Sequence, residues 1–76
     1  MEKEFIINKL KEAMVNYTLV QLIFIYPNIS PIFHRGYVEK VGEDSIEFVD
    51  RYDGNISLGI KFLEEVKEVK EKNERQ

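Results

Sequence analysis

The sequence predicts a mainly β fold, in which an N-terminal α-helix is followed by a strongly bent, five-stranded antiparallel barrel. Apolar side chains recur at helical spacing near the N-terminus, and the rest of the chain divides into short runs rich in β-branched and aromatic residues. Glycine, proline, aspartate and asparagine separate these runs. With 76 residues, the chain has room for one small domain, predicted over residues 1–76, and excludes a two-domain enzyme.

The helix is predicted over about residues 2–15. Its apolar positions fall near the spacings of one helical face, and they are Phe5, Ile6, Leu10, Ala13 and Met14. Asn16 is predicted to end the helix, because asparagine tolerates the left-handed conformation found at helix C-termini.

The barrel is predicted over about residues 17–70, and its first strand over residues 17–26. This strand is apolar on both faces, with Val20, Leu22, Phe24 and Tyr26 on one and Leu19, Ile23 and Ile25 on the other. In so small a domain the second face is expected to meet the helix or another subunit. Leu19, Ile23 and Ile25 are therefore the predicted interface of a homo-oligomer.

Turn residues divide the remaining strands. A proline-containing turn at residues 27–31 precedes a strand at residues 32–41, inside which Gly36 marks a predicted bend. A third strand at residues 45–50 carries Ile46 and Phe48 on one face. The Asp53-Gly54 pair predicts a hairpin turn before a fourth strand at residues 55–60.

The C-terminal segment has two interpretations. In the first, a single helical turn at residues 61–65 precedes a short fifth strand at residues 66–69, which would complete the barrel. In the second, one helix spans residues 61–72 and carries Leu63, Val66 and Val69 on one face. A polar tail is predicted from about residue 71 to residue 76.

Composition narrows the functional classes. The absence of cysteine excludes disulfides and thiolate chemistry, and a single histidine makes a self-contained metal site an unfavourable prediction, so neither a metal nor a cofactor is expected. The net charge of -3 argues against nonspecific duplex binding, and ten of the 14 acidic residues follow residue 40. Polar residues and prolines interrupt the uncharged run at residues 13–33, so no membrane span is predicted. Without a visible signal peptide, the expected location is the cytoplasm.

The segment Phe33-His34-Arg35-Gly36-Tyr37-Val38-Glu39-Lys40-Val41 is similar to the first motif of the Sm/LSm/Hfq superfamily, in which apolar residues and a glycine recur at fixed steps. Ile46 and Phe48 match the third strand, and Val66-Lys67-Glu68-Val69 resembles the closing step. The helix together with these positions also looks like the Sm-like half of bacterial YolD-like proteins. The resemblance implies an SH3-like barrel that binds single-stranded RNA as a homo-oligomer, with a ring as one possible assembly.

The chain departs from the family at two positions that bind RNA there. Gly42, Asp44 and Ser45 occupy the turn in which family members carry a base-binding asparagine. In Leu58-Gly59-Ile60-Lys61-Phe62, only Lys61 is similar in kind to the Tyr-Lys-His of Hfq. The resemblance therefore implies a nucleic-acid contact for Lys61, and the alternative is a solvated charge near a turn.

His34 and Arg35 form a basic pair between two aromatic residues. A base could stack on Tyr37 while Arg35 contacts phosphate. In the alternative interpretation, Phe33 or Tyr37 packs in the core and the polar residues between them face water. His34, Arg35, Tyr37 and Lys61 are thus the predicted nucleic-acid-binding residues.

Asp50 and Asp53 flank Tyr52 and could form a pair of interacting carboxylates. The alternative is a hydrated hairpin in which Arg51 pairs locally. Neither a nucleophile–base pair nor a small-molecule substrate can be assigned, so an enzyme is not predicted. The predicted function is a small Sm-like binding module with an RNA-binding or regulatory role, and the alternative is a protein-interaction adaptor that binds no nucleic acid.

Overall fold

The computed structural model describes residues 3–70. One helix is followed by five strands, and these elements are α1 (Lys3–Asn16), β1 (Val20–Phe24), β2 (Ile32–Val41), β3 (Ser45–Asp50), β4 (Gly54–Gly59) and β5 (Leu63–Glu68). Every ladder is antiparallel, and the strands lie in the order β4-β3-β2-β1-β5. The predicted mainly β class, with a helix before five antiparallel strands, is confirmed. The polar tail predicted at about residues 71–76 lies outside the described residues.

The hydrophobic core lies between α1 and one face of the sheet. Ile6, Leu10 and Ala13 of α1 are buried, at the i, i+4 and i+7 spacing of one helical face. The sheet contributes a set of fully buried side chains from β1, β2 and β3, namely Leu22, Phe24, Val38, Ile46 and Phe48. The predicted inward face of the third strand is therefore confirmed.

Two details of α1 differ from the prediction. Phe5 is 51% exposed, and Ile7 packs against the core instead, because Ile7 lies closer to the line through the buried residues. The helix ends at Asn16, but the left-handed residue is Tyr17, with φ of 49°. The Tyr17 N–H donates to the Met14 carbonyl (3.3 Å) and the Thr18 N–H to the Ala13 carbonyl (3.0 Å), which is the Schellman arrangement.

Gly36 is the residue at which β2 passes from one neighbour to the other. It pairs with Val20 of β1 on one side and with Asp50 of β3 on the other, and no other β2 residue is paired in both ladders. A Cβ at this position would lie 1.9 Å from the Val49 carbonyl oxygen. Only glycine allows β3 to approach this closely, and this steric role stands beside the predicted bend, which stays a prediction.

The sheet is strongly curled but open. Opposite edges of a flat five-stranded sheet lie roughly 19 Å apart. The edge strands β4 and β5 are nevertheless joined by only three residues, which allow about 14 Å between Gly59 and Leu63. Within residues 3–70, β4 pairs only with β3 and β5 only with β1, so the sheet does not close into the predicted barrel. The Ile60 N–H instead donates to the Asp44 carbonyl (3.0 Å).

The structure decides between the two interpretations of the C-terminal segment. A tight turn, in which the Leu63 N–H donates to the Ile60 carbonyl (3.2 Å), leads directly into β5. The helix considered for residues 61–72 does not form in its described part, residues 61–70, and β5 begins three residues earlier than predicted. Pairing of β5 with β1 buries Leu63 and Val66 and outweighs the helical propensity of the glutamates and lysines.

Within residues 3–70, no helix has both the length and the apolar character needed to cross a membrane.

Candidate functional site

A cleft of about 440 Å³ lies between strands β1 and β2 and the turn that joins β3 to β4. We call it the hairpin cleft. The strands contribute Gln21, Phe33, His34 and Arg35, and the turn contributes residues 50–53. Its volume is in the range of small-ligand sites, and both aromatic and charged side chains line it.

Backbone pairing brings the two walls of the hairpin cleft together. The β2–β3 ladder reaches Asp50, and beyond it the Arg51 N–H donates to the Arg35 carbonyl (2.9 Å). Three residues, 51–53, connect β3 to β4, and Gly54, the first residue of β4, has a left-handed φ of 74° that glycine adopts readily. The turn therefore projects beside the outer half of β2.

Asp50 organises the floor of the cleft. Its side chain is buried, its Oδ1 accepts a hydrogen bond from His34 Nδ1 (2.9 Å), and its Oδ2 accepts from the backbone N–H groups of Tyr52 (2.9 Å) and Asp53 (3.0 Å). Because an ionised carboxylate only accepts, a proton is assigned to His34 Nδ1. One side chain thus ties β2 to the turn.

Burial alone would raise the pKa of Asp50, because desolvation disfavours the carboxylate. The hydrogen bonds from His34 and from the backbone of Tyr52 and Asp53 outweigh burial and hold the pKa of Asp50 below its ordinary value. Asp50 is therefore an ionised structural group at neutral pH. Residues 51–53 of the turn are exposed, as in the hydrated hairpin considered from the sequence, whereas Asp50 itself is buried.

His34 faces inward, contrary to the alternation considered from the sequence. Its ring meets Phe24 and Phe48 edge-on, with centroids 5.8 and 6.5 Å away, whereas Phe33 is 55% exposed. The strand register explains why His34 rather than Phe33 faces inward, since His34 lies opposite the buried Leu22 and Phe33 lies opposite Ile23. Of the alternative interpretation, the placement of Phe33 in the core and of His34 in water is wrong, whereas Arg35 is exposed as expected and Tyr37 is half-buried.

The rim of the hairpin cleft combines exposed aromatic rings with cations. Phe33 is 55% exposed and Tyr52 is 88% exposed. Arg35 Nη2 donates to Gln21 Oε1 (2.8 Å), which orients the guanidinium. Arg51 does not pair locally as the sequence suggested, because the ion pairs within residues 3–70 are Lys3–Asp44 and His34–Asp50.

The four predicted nucleic-acid-binding residues occupy three places. His34 and Arg35 line the hairpin cleft, while Tyr37 stacks on Tyr17 with ring centroids 4.5 Å apart and does not line it. Lys61 lines a separate cleft of about 390 Å³, and its Nζ lies 5.5 Å from the Phe62 ring centroid. The structure therefore does not bring Lys61 and Tyr37 to the cleft that holds His34 and Arg35.

The predicted interface residues are partly accessible. Leu19 and Ile23 are half-buried, and Ile25 is 44% exposed at the end of β1, where its N–H donates to the Phe62 carbonyl (3.0 Å).

Sequence reasoning missed the roles of Gln21, Phe33 and Tyr52 in the cleft. One available signal was Asp50 at the start of a turn, because aspartate there often accepts hydrogen bonds from N–H groups two and three residues ahead. That pattern would have predicted the hydrogen-bonded turn that contains Tyr52. No local pattern reveals that Gln21 lies beside Arg35, which depends on strand register.

In residues 3–70 no cluster of three or more acidic or histidine side chains is placed to hold a metal ion. His34 and Asp50 are hydrogen-bonded directly to each other. Comparison with protein-family models, curated proteins and solved structures finds no match to this chain.

Proposed function

We propose that this protein is a small Sm-like module that binds single-stranded RNA in the cytoplasm as a homo-oligomer. The observation that carries the RNA-binding part is the hairpin cleft, in which exposed Phe33 and Tyr52 line the same surface as Arg35 and Arg51. The Sm-like part is supported by the helix and five antiparallel strands that the resemblance implies.

Exposed aromatic rings beside arginines suit single-stranded RNA for a physical reason. Bases that are not paired offer both faces for stacking, and each stacked base contributes about 1–3 kcal/mol of binding free energy. Arginine contacts phosphate and can itself stack on a base.

Self-association is supported by two features of the sheet. Both edge strands, β4 and β5, have one side without a partner in residues 3–70, and such edges readily pair with another chain. Leu19, Ile23 and Ile25 add apolar surface near the β5 edge.

A filter-binding titration with single-stranded RNA at low salt tests the proposal. We expect Phe33→Ala and Tyr52→Ala each to weaken binding about tenfold, because each removes a stacking surface. Phe5→Ala is the matched control, since Phe5 is a similarly exposed aromatic residue on α1, and its affinity should be unchanged.

The charge contribution is tested in the same titration. Arg51→Gln should weaken binding and reduce its salt dependence, whereas Lys11→Gln, on the exposed face of α1, should do neither. If the wild-type protein binds no RNA, the proposal fails and the adaptor alternative becomes the better one. An effect of Phe5→Ala equal to that of Tyr52→Ala would exclude the hairpin cleft as the binding surface.

A further inference from the structure

Asp53 is an unusual component of a surface for RNA. It is exposed, it lines the hairpin cleft beside two arginines, and it takes part in no ion pair within residues 3–70. Its backbone is fixed, because its N–H donates to Asp50 Oδ2 (3.0 Å). A free carboxylate repels phosphate, so its position in this cleft favours a ligand group that donates hydrogen bonds.

A carboxylate distinguishes the four bases by their donors. It accepts best from two neighbouring N–H groups, which its two oxygens bind together. On the Watson–Crick edge, guanine presents N1–H beside its N2 amino group, whereas uracil presents one imino group and adenine and cytosine each present one amino group. Of the four, only guanine supplies two adjacent donors to Asp53.

The other wall of the hairpin cleft offers the complementary chemistry. Arg35 carries only donors, and its guanidinium is oriented by Gln21 (2.8 Å). Guanine is also the base with two acceptors, O6 and N7, on its remaining edge, and arginine is their commonest protein partner. Tyr52, which is 88% exposed, supplies a ring for stacking.

We propose that the hairpin cleft is a pocket for a guanine base in single-stranded RNA, and that Asp53 is its specificity-determining residue. Asp53 accepts from N1–H and the N2 amino group, Arg35 donates to O6 and N7, and Arg51 contacts the backbone phosphate. This inference rests on the RNA-binding function proposed above and adds the identity of the base.

The test compares eleven-nucleotide RNAs that differ only at the central position of a uridine background. We expect the RNA with a central guanosine to bind about tenfold more tightly than those with uridine, adenosine or cytidine. Inosine, which keeps N1–H but lacks the N2 amino group, should give an intermediate affinity. Free guanosine monophosphate should compete only weakly with the RNA for the cleft, because it lacks the neighbouring nucleotides. Competition as strong as that of unlabelled RNA would overturn RNA as the ligand.

The Asp53→Asn variant assigns the preference to one side chain. We expect its preference for guanosine to fall to about threefold, the part that Arg35 supplies through O6 and N7, while Glu12→Gln on α1 keeps the wild-type preference. Equal binding of all RNAs by the wild-type protein would overturn the guanine inference and leave the RNA-binding proposal intact. Absence of binding to any RNA would overturn both. An undiminished guanine preference in Asp53→Asn would show that Asp53 does not read the base.

Discussion

Asp50 performs two tasks with one carboxylate. One oxygen holds His34 against the aromatic core, and the other accepts both N–H groups of the turn that carries Tyr52 and Asp53. Buried polar groups without partners are costly, so removing this carboxylate affects three donors at once.

Asp50→Ala is therefore expected to lower the free energy of unfolding by about 2–3 kcal/mol, since hydrogen bonds to a charged group are lost and buried donors are left unpaired. Urea unfolding followed by circular dichroism measures this loss. Asp53→Ala is the control, because the exposed Asp53 side chain makes no hydrogen bond within residues 3–70, and its effect should stay within about 0.5 kcal/mol. Equal losses in the two variants would contradict the role of Asp50.

The pH dependence of stability follows from the same carboxylate. The pKa of Asp50 is lower in the folded protein than in the unfolded chain, where it is about 3.9. Its contribution is thus fully present above that pH and is lost as the pH falls through the folded-state pKa. We expect the wild-type protein to lose more stability than Asp50→Asn between about pH 6 and pH 3. Parallel losses in urea unfolding would contradict this expectation.

Tyr17 combines backbone strain with a stabilising contact. Its φ of 49° is unfavourable for a residue with a side chain, and its ring stacks on Tyr37 at an interplanar angle of 8°. Tyr17→Ala loses the stacking and keeps the strain, whereas Tyr17→Gly loses both. We expect the glycine variant to be about 1 kcal/mol more stable than the alanine variant in thermal or urea unfolding. A more stable alanine variant would show that Tyr17 is not strained.

At the scale of elements, Gly36 determines how closely β3 approaches β2. Gly36→Ala would place a methyl group against the Val49 carbonyl, and we expect it to cost about 3 kcal/mol or to prevent folding. The matched control is Gly59→Ala, because a Cβ there meets only the Asp44 carbonyl oxygen, at 3.9 Å. That change should leave stability within about 1 kcal/mol of the wild type. Similar behaviour of both variants in urea unfolding would contradict the steric explanation.

The elements show what the sequence could and could not predict. The helix, the five strands and the inward positions of Ile46 and Phe48 follow from periodicity and turn residues, which act locally. The start of β5 does not, because its glutamates and lysines favour a helix until β1 supplies a ladder. Within the candidate site, Arg35 could be named from the sequence, whereas its neighbour Gln21 depends on a register that no local pattern fixes.

At the scale of the whole molecule, curling brings the two sheet edges near each other without pairing them. A small domain with an open sheet gains stability if a second chain covers its edges and nearby apolar surface. Ile25 belongs to this apolar surface: it is 44% exposed and lies next to the β1–β5 ladder. Replacing it with a charged residue therefore tests association without removing a core side chain.

We expect the wild-type protein to form a homo-oligomer in light scattering at high micromolar concentration, and Ile25→Glu to shift it toward the monomer, because a charge on an apolar interface must be desolvated on association. Val15→Glu is the matched control, since Val15 is 77% exposed and belongs to α1 rather than to the sheet, and its mass should equal that of the wild type. A wild-type protein that stays monomeric would remove the oligomer from the proposed function. An oligomer unaffected by Ile25→Glu would instead place the interface at the uncharged edge strand β4, where Ser57→Lys should then dissociate it.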